Sequence, residues 1–423
     1  LHYFEFKDGV LHAEDVALTE IAAEVGTPFY CYSRATFERH FKVFDGAFDG
    51  IDHLTCYAMK ANSNIAILTV LAKLGAGADV VSEGELRRAL KAGIPANKIV
   101  FSGVGKTRQE MRFALNAGIL CFNVESEPEL KRLSAVASEM GKTAPISLRI
   151  NPDVDAKTHA KISTGLAANK FGIAWDRARA VYNEAAQLPG LKVTGMDMHI
   201  GSQITELGPF DDALERLGVL IGMLKEDGIE IDHLDVGGGL GIPYGSGIEA
   251  PLPTEYAKVV RKHIERLGVT LITEPGRLIA GNAGILVTET IYRKEGEAKN
   301  FVIVDAAMND LIRPTLYEAH HDIGAVSEER QNGEQMMADI VGPVCETGDY
   351  LARDREMPKF EEGDLLAVYS AGAYGATQSG TYNTRLLVPE VLVDGDKFAI
   401  IRQRPSYDEL LNQDVVPNWV EKA

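Results

Sequence analysis

The sequence predicts a (β/α)8 TIM-like barrel joined to a second, mainly β domain, and three observations predict it. Between residues 53 and 277, eight short β-rich runs alternate with stretches of helical periodicity. After about residue 280 the helical stretches thin out and strand-like runs follow one another. The 423 residues are too many for one ordinary domain and suit two. Strands that alternate with helices pair in parallel through right-handed crossovers, and eight of them close into a barrel.

The elements follow in chain order. "FEFKDGVLH" carries a hairpin signal at Lys7–Gly9. The helix expected in "TFERHFKVFDGAF" precedes the first barrel strand and covers the position a last helix would fill. The barrel strands are "HLTCYAMKA", "ADVVS", "KIVFSG", "LCFNVES", "PISLRIN", "VTGMDMHIG", "HLDVGGG" and "LITEPGR". Between the fourth and fifth, Leu130, Leu133, Ala137 and Met140 recur at three- and four-residue steps, and Gly141 stands where a C-terminal cap belongs. The irregular stretch 151–172 is long enough to predict a functional loop. Beyond it, "GILVTETIYRKE", "NFVIVDA", "DIVGPVCE", "LLAVYSAG" and "PEVLVDGDKFAIIRQR" predict β-structure, with a hairpin at "VDGD". The expected division is a barrel over 34–279 and a β-rich domain from 1–33 and 280–423.

Lys plus Arg total 43 against 61 Asp plus Glu, a formal charge of −18 that argues against nucleic acid as a partner. Local cations for a small anionic ligand remain compatible with it. The four cysteines show no CxxC or zinc-type spacing, so neither a disulfide framework nor a structural metal is expected. No run of about 18 apolar residues suggests a membrane span. "LHYFEFKDG" has neither the basic start nor the apolar core of a signal peptide, and cytoplasm is the expected compartment.

Barrel enzymes carry their chemistry at the C-terminal ends of the strands. Those ends read Lys60, Asp79 with Ser82, Ser102, Asn123, Arg149, His199, Gly237–Gly239 and Glu274 through Arg277. Lys60 closes an apolar run; it is either a surface lysine or a desolvated amine able to act as a nucleophile. "GGGLG" after the seventh strand misses the dinucleotide fingerprint but suits a phosphate, which barrels often bind there. His199 is a core histidine or a ring facing the site, and Glu274 either pairs with Arg277 or holds a proton on a heteroaromatic nitrogen. "HHD" at 320–322 lacks the one-face spacing of helical zinc motifs. An amine for an aldehyde, glycines for a phosphate, a ring for stacking and a carboxylate for a pyridine nitrogen together describe pyridoxal 5′-phosphate.

"YAMKAN", "HIGSQ", "DVGGGLGI", "EPGR", "GPVCETGD" and "GAYG" occur in an order that resembles the barrel-type (fold type III) pyridoxal-phosphate decarboxylases over nearly the whole chain. The resemblance implies an alanine-racemase-like architecture and a homodimer with active sites at its interface. It implies that Lys60 carries the cofactor's aldehyde and that the His199 ring stacks on it. Ser202, Gly237, Gly238, Gly239, Gly276 and Tyr374 match phosphate positions, and Glu274 matches the pyridine-nitrogen partner. Arg277, Arg313, Tyr317 and Tyr374 match substrate-binding positions, Arg277 serving the cofactor as well. Cys345 and Glu346 match the pair lent by the partner subunit, with Cys345 or Lys60 returning the proton.

Within that family, "CETGD" and "RPTLYEAHH" are similar to the branch acting on meso-2,6-diaminopimelate, which yields L-lysine and carbon dioxide in the last step of lysine biosynthesis. A distal carboxylate wants an arginine fork, which Arg313 offers. A decarboxylase for ornithine or arginine is the alternative. After "YNTR" the chain departs from the family pattern, reading "LLVPEVLV" where further proline and arginine are usual.

Overall fold

A computed structural model describes residues 2–165, 170–245 and 247–421. It divides into two compact units, Thr36–Asn282 and the combination of Leu1–Ala35 with Ala283–Ala423.

The first unit is a closed parallel barrel. Its strands are β1 (His53–Ala58), β2 (Gly77–Val80), β3 (Ile99–Phe101), β4 (Cys121–Val124), β5 (Ala144–Asn151), β6 (Leu191–Asp197), β7 (His233–Asp235) and β8 (Thr270–Thr273). Each pairs with the next, and β8 returns to β1 through the Leu271–His53 register, so the ring has no free edge. A two-residue strand, Ile173–Ala174, is appended to β5. The eight strands are those the sequence predicts. They are legible because parallel strands covered on both faces read as near-continuous apolar runs; β3, β4 and β7 are buried at every residue.

Four of the barrel helices start at a polar side-chain cap, Asn64, Ser82, Thr107 or Ser126. α1 is Arg34–Gly46, and α2 (Ile65–Lys73) through α8 (Pro253–Leu267) follow the strands, with α3 at Glu83–Lys91, α4 at Arg108–Ala117 and α5 at Glu127–Glu139. Ser82 accepts the Glu85 N–H and Ser126 the Glu129 N–H, capping α3 and α5. Ser82, flagged as a strand-end candidate, is thus a helix cap. After β8 comes only a single turn, α9 (Arg277–Ala280). α1 fills the vacant outer position: Phe44 stacks on Tyr256 of α8 at 6.1 Å, and Asp45 accepts a hydrogen bond from Thr55 of β1 at 2.7 Å.

The loops beyond β3 to β5 are pinned by buried ion pairs. Lys106 meets Glu129 at 2.7 Å and donates to the Gly103 and Asn123 carbonyls, each at 2.8 Å. Arg149 meets Glu125 at 3.0 Å. Satisfied buried charges of this kind hold a loop in one place, since removing either partner strands the other in low dielectric. The irregular stretch after β5 follows the predicted bounds, although 166–169 lie outside the described residues.

In the second unit the N-terminal hairpin pairs Phe4–Lys7 with Val10–Ala13 through Asp8 and Gly9, both at positive φ, as a tight primed turn requires. With Val16–Ala17 it makes a three-stranded sheet of its own. The larger sheet runs Tyr350–Pro358, Gln335–Val341, Phe301–Val304, Gly284–Lys294, Phe29–Ser33, Glu390–Asp394 and Lys397–Arg402, with Leu365–Val368 also on Gly284–Lys294. Phe4, Leu11 and Val16 pack on Phe29, Ile285 and Val391 in one apolar core.

Two of these strands escape sequence reading. Phe29–Ser33 is buried at every position and shows no alternation. Tyr350–Pro358 carries charges at its centre, and register shifts against Gln335–Val341 break its period. "GPVCE", read as part of a strand, is instead a loop after Val341. No helix among the described residues is long and apolar enough to cross a membrane.

Candidate active site

Four barrel loops converge at the C-terminal ends of the strands. Lys60 lies in a turn two residues past the end of β1, slightly beyond the strand end the sequence suggests. Its side chain is 34% exposed and its Nζ lies 3.4 Å from the buried Asp79 carboxylate of β2. The amine is therefore held by an anion rather than sunk in an apolar pocket.

His199 follows β6. Its Nδ1 accepts the Gly238 N–H at 3.3 Å, and its carbonyl accepts from Arg149 and from Thr164, the latter at 2.7 Å. An accepting Nδ1 means a neutral ring with its proton on Nε2. Burial, then the Lys60 and Arg149 cations, push the imidazole well below its usual range, which agrees with that tautomer.

The glycine run after β7 is wedged between neighbouring backbones. A Cβ on Gly238 would overlap the Glu274 carbonyl oxygen, and Gly239 adopts φ +100° beside the Gly201 carbonyl. Glycine is thus required at Gly238 and Gly239 for close approach of neighbouring backbone. Gly238→Ala is expected to lose cofactor retention and several degrees of Tm together; unchanged melting and cofactor content by gel filtration would contradict this packing.

Glu274 follows β8, and its N–H donates to the Gly237 carbonyl at 2.8 Å. Its carboxyl is buried, and Oε1 has no hydrogen-bond partner among the described residues. Burial, then Asp235, Asp79 and Asp197, push its carboxyl well above the usual carboxylate range. Glu274 does not form the pair with Arg277 that is the simpler sequence reading. Arg277, at the first position of α9, donates to Ser202 Oγ at 2.8 Å and to the Tyr244 hydroxyl. Gly276 passes close to Ala58 at the end of β1. Lys60, His199, Ser202, Gly237–Gly239, Glu274, Gly276 and Arg277 therefore share one barrel mouth.

The second unit carries the remaining predicted residues. Arg313 opens the short helix Arg313–Tyr317; it is buried and donates to His321 Nε2 at 3.0 Å. His321 in turn donates from Nδ1 to the Tyr369 carbonyl at 2.9 Å, which fixes the tautomer that can receive Arg313. The "HHD" doublet splits: His321 orients Arg313, whereas His320 meets Asp322 at 3.0 Å near the surface. Tyr317 is half-buried, and Tyr374 is half-buried with φ +56°. Cys345 and Glu346 are exposed on a loop braced by Asp349, which accepts the Met308 and Val344 N–H groups.

Sequence reading passes over four residues here. Asn383 accepts the Cys345 N–H at 3.0 Å from a left-handed backbone, and Tyr244 holds Arg277. Asp197 and Asp235 lie within the runs "VTGMDMHIG" and "HLDVGGG", where the pattern alone marks them as strand residues. Their signal is a carboxylate within a buried parallel strand, where a charge is costly unless it has a purpose.

Residues 34–281 match the family model described as "Pyridoxal-dependent decarboxylase, pyridoxal binding domain". A diaminopimelate decarboxylase of Vibrio cholerae is 57% identical over 412 residues, covering 97% of this chain and 98% of the relative. A crystal structure of diaminopimelate decarboxylase from M. jannaschii in co-complex with L-lysine has a TM-score of 0.93 at 38% identity, covering 99% of this chain and 98% of that one. The Helicobacter pylori diaminopimelate decarboxylase complexed with L-lysine has a TM-score of 0.90 at 41% identity, covering 94% and 98%.

Proposed function

This chain belongs to the pyridoxal-dependent decarboxylases, in their diaminopimelate decarboxylase branch, and from that premise we propose how its own residues divide the work. The reaction is decarboxylation of meso-2,6-diaminopimelate to L-lysine and carbon dioxide. The observation that carries the residue assignment is the buried, unpartnered Oε1 of Glu274 at the mouth that also holds Lys60.

The residues fit pyridoxal 5′-phosphate. A buried carboxyl oxygen left without a partner among the described residues suits a pyridine nitrogen. Lys60 would hold the aldehyde, Glu274 the ring nitrogen, and Ser202, Gly237–Gly239, Gly276, Arg277 and Tyr374 the phosphate end. The bound cofactor supplies an electron sink for the pair released as the α-carboxylate departs.

The other roles are those of the chain. The neutral His199 ring offers an apolar face for stacking and adds no charge beside Lys60. Arg313, oriented by His321, takes the distal carboxylate of substrate, with Arg277 and Tyr317 beside it in role; Glu346 takes the distal ammonium. Cys345 Sγ or Lys60 Nζ returns a proton to the carbon that lost carbon dioxide. Exposure of Cys345 and Glu346 in the single chain supports their being lent to a second subunit, as in a homodimer. A cytoplasmic location agrees with four free cysteines, three of them buried.

Carbon dioxide release from meso-diaminopimelate, L-ornithine and L-arginine, measured side by side on protein purified with pyridoxal phosphate, tests this reading. Release from diaminopimelate alone is expected. Release from ornithine or arginine instead would keep the barrel site and overturn the roles of Arg313 and Glu346.

A further inference from the structure

Beneath Glu274 lie two more buried carboxyl groups that the reaction as described does not use. The parallel register of β6 and β7 sets Asp197 directly beside Asp235. One carboxylate oxygen from each of Asp197, Asp235 and Glu274 falls within 4.8 Å of the other two. All three side chains are buried, and each has an oxygen without a hydrogen-bond partner among the described residues, namely Asp197 Oδ1, Asp235 Oδ2 and Glu274 Oε1. Like charges on neighbouring strands repel, and low dielectric magnifies the repulsion.

The surroundings do not neutralise this cluster. Among the described residues two cations act on it: Lys60 on Glu274 and Arg149 on Asp197. Both are already engaged, Lys60 with Asp79 at 3.4 Å and Arg149 with Glu125 at 3.0 Å. Asp79 and Glu125 add further negative charge, and the thiols of Cys56 and Cys121 are kept protonated by burial. Asp235 is steadied by the Gly237 N–H, which reaches Oδ1 at 2.9 Å, and by side-chain hydrogen bonds with Glu274 and Asn123. Three adjacent carboxylates without a counter-cation of their own must share protons, as close carboxyl pairs do.

We infer that Asp235, backed by Asp197, is a positioning residue that keeps a proton on Glu274 in the cofactor-free barrel, so that the site receives a heteroaromatic nitrogen with an O–H donor. On contact the Glu274 O–H bond breaks and an N–H bond forms. The nitrogen lone pair takes the proton, and the bonding pair stays on the carboxylate. The ring nitrogen then draws its proton from the protein and not from solvent. The direction of the shifts agrees: burial first, and then the neighbouring carboxylates, raise Asp197 and Glu274 far above ordinary carboxylates, while Asp235, buried but hydrogen-bonded to the Gly237 N–H, is raised only to about 7. The inference rests on the reading of Glu274 as the nitrogen partner.

Infrared difference spectra of the cofactor-free protein against pH test it, because protonated carboxyl groups have their own C=O stretch. Wild type should show a buried protonated carboxyl at neutral pH that Glu274→Gln removes and added pyridoxal phosphate discharges. Asp235→Asn should lower its titration midpoint by about one to two pH units, since it replaces a repelling charge with a neutral amide. Asp197→Asn should lower it in the same direction, and it serves if Asp235→Asn does not fold. Absence of the band in wild type overturns the inference, as does a midpoint that neither variant moves. The underlying reading fails separately: Glu274→Gln would then bind pyridoxal phosphate with wild-type affinity and an unchanged absorbance–pH profile.

Discussion

Lys60→Ala abolishes decarboxylation by several orders of magnitude and removes the visible absorbance of lysine-bound pyridoxal: this is the expected result with the largest effect. The amine is a nucleophile that a methyl group cannot replace. Its position also makes the experiment more discriminating. Because Nζ rests 3.4 Å from Asp79, a loss in Lys60→Ala alone could reflect a stranded buried carboxylate. Lys60→Arg keeps a cation beside Asp79 but offers no neutral amine at working pH. Both variants are expected to fall alike in activity, while Lys60→Arg keeps the wild-type melting temperature. Turnover near wild type in Lys60→Arg, followed by carbon dioxide release, would sink the assignment.

Arg313→Ala should lower kcat/KM for diaminopimelate by roughly 10- to 100-fold, the usual worth of a charge-assisted hydrogen bond. A substrate without the distal carboxylate should lose far less. The difference between the two substrates is the informative quantity, since it cancels damage common to both. Damage is expected, because His321 Nε2 loses its donor. Arg313→Lys should recover only part of the loss, as one ammonium cannot reproduce a planar fork held by His321 from one side. Equal losses for both substrates would remove Arg313 from specificity and leave it a structural role.

The barrel was legible because its signal is local. Each strand is a short apolar run closed by a polar or glycine residue, and each helix shows its period and its cap within about a dozen residues. The hairpin at Asp8–Gly9 and the turn at Gly395 were legible for the same reason: positive φ is a property of the residue itself. Phe29–Ser33 was not, since nothing within five buried residues says which strands will flank it. In the larger sheet it lies between Gly284–Lys294 and Glu390–Asp394, neighbours some 250 to 360 positions away in the chain.

The site divides along the same line. The sequence by itself determined which chemical groups stand at the strand ends: Lys60, His199, Gly237–Gly239, Glu274 and Arg277. Strand ends are set by local pattern, and barrels present those ends at one face. Only the tertiary structure decided what each group meets. Arg277 turns to Ser202 and Tyr244 instead of the adjacent Glu274, and His321 leaves its neighbour His320 to hold Arg313. Asp197 comes to lie beside Asp235, and both beneath Glu274, through the register of parallel strands. Register is fixed by burial summed over the whole sheet, so no spacing along the chain encodes it.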